Sequence, residues 1–265
     1  MSLLQLTVIA LVQGITEFLP ISSSGHLILV PQLTGWEDQG LLMDVAVHVG
    51  TLLAVMLYFW RDVWAMLSGL GNLFKGRLDP GARMVLLVVV ATIPVIGVGY
   101  LAKDFVSTHL RSIEVIAWAT LGFGIVIYIA DRLGMTMRRM EHLGFSDAVI
   151  IGLSQCLALI PGTSRSGITM AAARALGMER PDAARFSMLI SMPTILGAGV
   201  LAGKDLYESG NAQLSFDALI AGGLAFASAL VAIWGLMAWL KRASFTPFVI
   251  YRMLLGVGLL ALAYG

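Results

Sequence analysis

Six stretches of this chain, at about 38–60, 82–101, 112–132, 182–203, 215–240 and 246–264, are each long and apolar enough to cross a lipid bilayer. A crossing helix needs about 20 mostly apolar residues, since it must satisfy its own backbone and present hydrocarbon to lipid. Composition agrees, with 12% charged residues in 265 against about 25% in a soluble domain. The pattern predicts an all-α polytopic membrane protein; a transmembrane barrel would alternate over segments of ~10 residues instead. The net charge of +1 says nothing about nucleic acid, and since no basic cluster interleaved with aromatics appears, no nucleic-acid partner is expected. The single cysteine, Cys156, excludes an intramolecular disulfide and a cysteine metal cage. The start, Met1-Ser2-Leu3-Leu4, lacks the basic region and cleavage site of a removable signal and reads as mature protein.

Two further apolar regions are each interrupted by a helix-breaking cluster. One runs from Leu3 to about Leu33 and breaks at Pro20-Ile21-Ser22-Ser23-Ser24-Gly25; the other runs from Asp147 to about Leu176 and breaks at Pro161 to Gly167. Non-helical backbone at membrane depth survives only where protein buries it or water reaches it, so both read as re-entrant hairpins. An ungapped shift of 142 residues aligns Leu11 with Leu153, Gln13 with Gln155, Ser22 with Ser164, Ser24 with Ser166, Gly25 with Gly167, Gly35 with Gly177 and Glu37 with Glu179. Each hairpin precedes three spans, giving two units, about 1–140 and 141–265. Three crossings are odd, so the second unit enters from the opposite face, an inverted repeat that points to a midplane site. With the amino terminus outside, inner loops hold twelve Lys and Arg residues and outer loops only Lys103, Arg111 and Lys204. Both termini then face out, with the hairpins dipping from opposite faces.

Ionisable residues inside a membrane are costly and are functional candidates by default. Six remain: Glu17, His26, Asp44, His48, Arg165 and Arg252. Gln13 and Glu17, four apart, share one helix face. Ser22, Ser23 or Ser24 can cap the half-helix after the first break, Gly25 permits close approach, and His26 lies in the first turn. Thr163, Ser164 and Ser166 repeat this in the second hairpin, where Arg165 adds a planar cation suited to phosphate. Helix starts present free N–H groups to an anion. The plainer alternative is a pair of kinks whose serines re-satisfy the backbone; it leaves Glu17, His26 and Arg165 unexplained. His48 and Arg252 read as polar contacts between packed helices, Asp44 as interfacial or a minor metal ligand, and His109 and His142 as solvated.

Gln13-x-x-x-Glu17 fits the (Glu/Gln)-x-x-x-Glu motif of the undecaprenyl-diphosphate phosphatases, the bacitracin-resistance family. Pro161-Gly162-Thr163-Ser164-Arg165-Ser166-Gly167-Ile168-Thr169 fits its Pro-Gly-x-Ser-Arg-Ser-x-x-Thr motif at every fixed position, and Thr16 to His26, Phe59-Trp60-Arg61, Gln155 to Leu159 and Ser244 to Arg252 are similar too. Gln13 stands where many members carry glutamate, which removes one potential metal ligand. The resemblance implies hydrolysis of a polyprenyl diphosphate to its monophosphate and phosphate in the bacterial inner membrane, at a site facing the exterior. It also implies a divalent cation, Mg²⁺ or Ca²⁺, with Glu17 as ligand, and sensitivity to bacitracin, which sequesters the substrate; a second copy of the chain is a candidate partner. Carried over by position, the catalytic set is Glu17, Ser23, His26 and Arg165. The substrate-binding set is Gln13, Ser22, Ser24, Gly25, Gly162, Thr163, Ser164, Ser166 and Thr169. The expected nucleophile is Ser23 with His26 as its base, or water with His26 or Glu17 as base. A lipid-phosphate flippase would use the same anion site and is the competing reading.

Overall fold

The computed structural model describes residues 1–37, 39–134, 138–209 and 212–265, with backbone alone described at 41, 103, 107, 198–199, 201–209 and 212–215. The side chains of Lys103 and Lys204 therefore lie outside the description. Among the described residues eleven α-helices form: α1 Leu3–Thr16, α2 Ser23–Thr34, α3 Gly40–Tyr58, α4 Trp60–Phe74, α5 Pro80–His109, α6 Ile113–Leu133, α7 Phe145–Cys156, α8 Arg165–Ala175, α9 Arg180–Ser209, α10 Ala212–Leu240 and α11 Thr246–Tyr264. Among the described residues no strand forms; one isolated bridge joins Arg138 and Met178.

Among the described residues four segments are long and apolar enough to span a membrane: Pro80–Ala102, Ile113–Leu133, Phe216–Leu240 and Thr246–Tyr264. A fifth, Leu42–Tyr58, passes the same test together with Trp60–Phe74, bent by 87° at Phe59. The expected span at 38–60 therefore continues as a second helix that a search for straight runs of twenty residues misses. Its physical reason is amphipathicity: Trp64, Leu67 and Phe74 are exposed on α4 while Gly69 is buried. Gly69 lets the α5 start approach closely, since a Cβ there would sit 2.1 Å from the Ala82 nitrogen. Asp79 caps α5, and the Ala82 N–H and Asn72 amide hold its carboxyl below the usual carboxylate range.

Both broken regions are pairs of short helices, α1–α2 and α7–α8, and the break falls at the same place in each. Ser22 and Ser164 are the only described residues other than glycine with positive φ, 74° and 73°. Each accepts a hydrogen bond on its side chain from the N–H three residues on, Gly25 and Gly167. Positive φ is uncommon for a residue with a Cβ, so its recurrence at an offset of 142 is a shared local build rather than chance. The helices also interleave: α1 packs on α10 as α7 packs on α5.

Cations gather at one end of the bundle. Asp131 at the end of α6 accepts from Arg174 (3.2 Å), Arg180 (2.7 Å) and the Phe245 N–H (3.2 Å). Arg138 grips both carboxylate oxygens of Asp147, Arg185 does the same to Asp62, and Arg83 reaches the carbonyls of Glu141 and Leu143. At the other end the amino-terminal ammonium lies 3.2 Å from Asp217 near the start of α10.

Candidate active site

The two breaks meet. Ser166 Oγ of the second donates to the Leu19 carbonyl of the first at 2.9 Å, and a Cβ on Gly25 would lie 3.7 Å from the Gly162 Cα. Gly162 itself has φ of 92°, and its Cβ would lie 2.5 Å from the Ile116 carbonyl of α6. Positive φ costs a residue with a side chain about 1–3 kcal/mol, and the clash adds to it. Gly162→Ala is therefore expected to lower both the unfolding midpoint in detergent and the activity. Gly97→Ala, where nothing lies within 4 Å of the added carbon, should be neutral. An unaffected Gly162→Ala protein would show that the contact with α6 carries no weight.

Glu17 sits where the breaks converge, almost wholly buried. Arg165 Nη2 donates to its Oε1 at 2.5 Å; Ser23 Oγ and Gln13 Nε2 donate to its Oε2 at 2.6 and 2.8 Å. Ser23 and Arg165 are each the first residue after a positive-φ serine, and lie 142 positions apart. Equivalent positions of the two hairpins thus supply the hydroxyl and the guanidinium that face one carboxylate. Glu17, Ser22, Ser23, Ser24, Ser164 and Arg165 line a cavity of about 360 Å³.

The remaining expected residues stand behind this wall. Gln13 is fully buried, with its Oε1 unpartnered. Thr169 Oγ1 donates to the Arg165 carbonyl at 2.8 Å and pairs with Ser187 Oγ at 2.7 Å, bracing the α8 start. Thr163 is fully buried with an unpartnered hydroxyl and does not line the cavity. Gly25 and Gly162 act through close approach.

His26 is placed differently from expectation. Its Nδ1 lies 2.6 Å from the Ser22 carbonyl and its Nε2 2.6 Å from the Tyr251 hydroxyl, with the two rings stacked. A carbonyl only accepts, so Nδ1 carries the hydrogen; in the neutral ring Nε2 then accepts from the tyrosine. Ser23 therefore pairs with Glu17 and not with His26.

Two residues set aside by the sequence reading join the cavity. Asp44 and His48 both line it, and His48 Nε2 lies 3.6 Å from Glu17 Oε2. Their spacing of four, which puts both on one face of α3, was the available signal. Asp44 is thus a cavity residue and not merely interfacial. Arg252 is the expected polar contact between helices, although its partners are backbone carbonyls.

An anion-sized cavity flanked by two helix starts, one guanidinium, one carboxylate and a hydroxyl is equipped for phosphoryl chemistry. The family model described as bacitracin resistance protein BacA matches residues 6–258. An undecaprenyl-diphosphatase 1 of Rhodospirillum rubrum is 53% identical over 100% of this chain and 96% of its own length. Undecaprenyl-diphosphatases of a Jannaschia species and of Ruegeria pomeroyi are each 55% identical over 100% of both chains. With the match running over nearly all of its length, the chain belongs to the bacitracin resistance protein BacA family.

Proposed function

We infer that this protein is a membrane hydrolase that converts undecaprenyl diphosphate to undecaprenyl phosphate and inorganic phosphate. The observation that carries the reading is the convergence of Ser23 and Arg165, from two separate helix starts, on the buried carboxylate of Glu17. Full-length relatives bearing the name undecaprenyl-diphosphatase support it. A flippase needs an anion site but has no use for a hydroxyl held 2.6 Å from a carboxylate.

In this mechanism the terminal phosphate enters between the two helix starts, whose N–H groups and positive dipoles favour it. Arg165 turns from Glu17 to the phosphoryl oxygens, where charge develops. Glu17, relieved of its ion pair, takes the Ser23 proton across the 2.6 Å hydrogen bond. Ser23 Oγ forms the new bond to phosphorus, and the bridging P–O bond breaks with its electron pair leaving on the lipid monophosphate. Glu17 passes the Ser23 proton to the departing lipid monophosphate and is ionised again. It then takes a proton from water as the water oxygen bonds to phosphorus and the Ser23 Oγ–P bond breaks. Glu17 returns that proton to Oγ, so inorganic phosphate leaves and the free serine is restored. His26 orients the first helix start through the Ser22 carbonyl.

The donors fit a hard divalent cation, Mg²⁺ or Ca²⁺. Glu17 would hold it; Gln13, behind the cavity wall, offers an uncharged oxygen in place of a second carboxylate, and among the described residues no three His, Cys, Asp or Glu side chains cluster to cage a metal. Such an ion takes most of its shell from substrate phosphates and water. When bound it would screen the diphosphate charge.

The reading extends to topology: six spans, two re-entrant hairpins in inverted repeat, both termini outside, and a cavity open to the exterior of the inner membrane. The twelve-to-three distribution of cations supports it. So does the pairing of Arg83, Arg138, Arg174, Arg180 and Arg185 at one end of the bundle. Cysteine at Arg111, in a Cys156→Ala background, is expected to react with an impermeant thiol reagent in intact cells, and cysteine at Lys75 only after lysis; both positions are exposed. Labelling of position 75 in intact cells would reverse the orientation.

Purified protein in detergent, given a polyprenyl diphosphate and Mg²⁺ with and without EDTA, tests the activity. Protein that binds the lipid yet releases no phosphate under either condition would refute the hydrolase.

A further inference from the structure

Arg252 of α11 is fully buried, and among the described residues no carboxylate pairs with it. Its guanidinium donates only to backbone carbonyls: Nε to Thr120 at 3.1 Å, Nη1 to Pro20 at 3.4 Å, and Nη2 to Ala119 at 3.4 Å and Gly162 at 2.9 Å. Thr120 and Ala119 belong to α6, Pro20 to the first break and Gly162 to the second. One planar group therefore ties both breaks to the same helix.

Holding α11 to α6 does not require this. Gly124 and Gly256 already bring the two helices together; a Cβ at Gly124 would lie 3.4 Å from the Arg252 Cβ, and one at Gly256 2.5 Å from Leu121. Burying a cation without a counter-charge is costly, and an apolar side chain would pack α11 on α6 at less expense. What only a guanidinium supplies is a rigid fork of donors that reaches two carbonyls at once. The two carbonyls tied here come from opposite halves of the chain. Their separation sets whether the Ser23 hydroxyl and the Arg165 guanidinium address one phosphoryl group.

We propose that Arg252 is a positioning residue for catalysis, fixing the spacing of the two breaks so that Ser23 and Arg165 converge. The inference rests on the hydrolase reading. Misplacement of reacting groups by about 1 Å costs on the order of 10²-fold in rate. Lysine retains the charge and loses the fork.

The test is steady-state phosphate release from a polyprenyl diphosphate by full-length protein in detergent, for wild type, Arg252→Lys, Arg165→Lys and the double variant, with unfolding midpoints measured alongside. Arg252→Lys is expected to lower kcat by about 10-fold or more with little change in KM and a near wild-type midpoint. Because it acts through the placement of Arg165, it should cost less than about 3-fold once Arg165 is already lysine. A purely structural role would lower the midpoint and the folded fraction, and slow both backgrounds equally. Wild-type kcat in Arg252→Lys, or equal losses in both backgrounds, would overturn the proposal. If the lysine variant folds poorly, Arg252→Gln, a planar amide with two donors, is judged by the same two criteria. A silent wild-type enzyme would instead remove the hydrolase reading, and this inference with it.

Discussion

Glu17→Gln is expected to abolish phosphate release while the protein still folds. Glutamine keeps the shape and its oxygen can still accept from Arg165, but its NH2 group donates where the carboxylate accepted from Ser23 and Gln13, and it cannot take the Ser23 proton. The carboxylate also balances Arg165, whose side chain is 17% exposed against 5% for Glu17, so little water screens the pair. Removing one partner of such a pair costs stability in the free protein. An incoming diphosphate supplies the missing negative charge. Substrate affinity should therefore be retained or even increased in Glu17→Gln, while kcat falls by about 10³-fold or more, the range for loss of an activated nucleophile and its electrostatic setting. The measurements are phosphate release at saturating Mg²⁺ and lipid-diphosphate binding on the same preparation. Near wild-type release would remove Glu17 from the mechanism, and loss of binding in folded protein would make it a binding residue instead.

Much of this site was legible before any coordinates. Proline, serine and glycine in an apolar run announce a break, and the ungapped offset of 142 residues carried over into three dimensions as the matched φ values of Ser22 and Ser164. Gln13 and Glu17 meet because a spacing of four places them on one helix face, and Nε2 of the first donates to the second. What escaped was set by contacts distant in sequence. Which face of α3 meets the cavity depends on how it seats against α10, where Gly50 meets the Gly222 carbonyl so closely that a Cβ would lie 2.1 Å away. An apolar span records no such choice, so Asp44 reads as interfacial or a minor metal ligand and His48 as a contact between packed helices. His26 lies three residues after Ser23, yet Tyr251, 225 positions away, draws its ring aside. The α4 turn was missed because its amphipathic stripe is too short and too polar to count as a crossing.

Arg165→Lys and Ser23→Ala together separate the chemistry from the binding. Arg165 meets Glu17 in the free protein and the phosphoryl oxygens in the reaction, so its hydrogen bonds strengthen as charge shifts toward the transition state. Lysine retains one positive charge but not the planar fork, and is not a conservative change at such a site. Thr169 and Ser166 brace the α8 start from behind, so the backbone around position 165 should not follow the side chain. Arg165→Lys is therefore expected to lower kcat by about 10²-fold or more and to raise KM far less. Ser23→Ala removes the hydroxyl from Glu17 without touching the Ser22 cap, which is made by the neighbouring side chain. It should lower kcat to a similar or greater extent and leave lipid binding nearly intact, because the serine adds little to ground-state affinity. Steady-state phosphate release and parallel binding measurements on the three proteins decide the matter. If both variants lose binding in proportion to turnover, the pair acts as an anion clamp and the flippase reading regains its standing. If Ser23→Ala keeps its rate while Arg165→Lys does not, the serine is no nucleophile. Glu17, beside the same cavity, then becomes the base for direct attack by water.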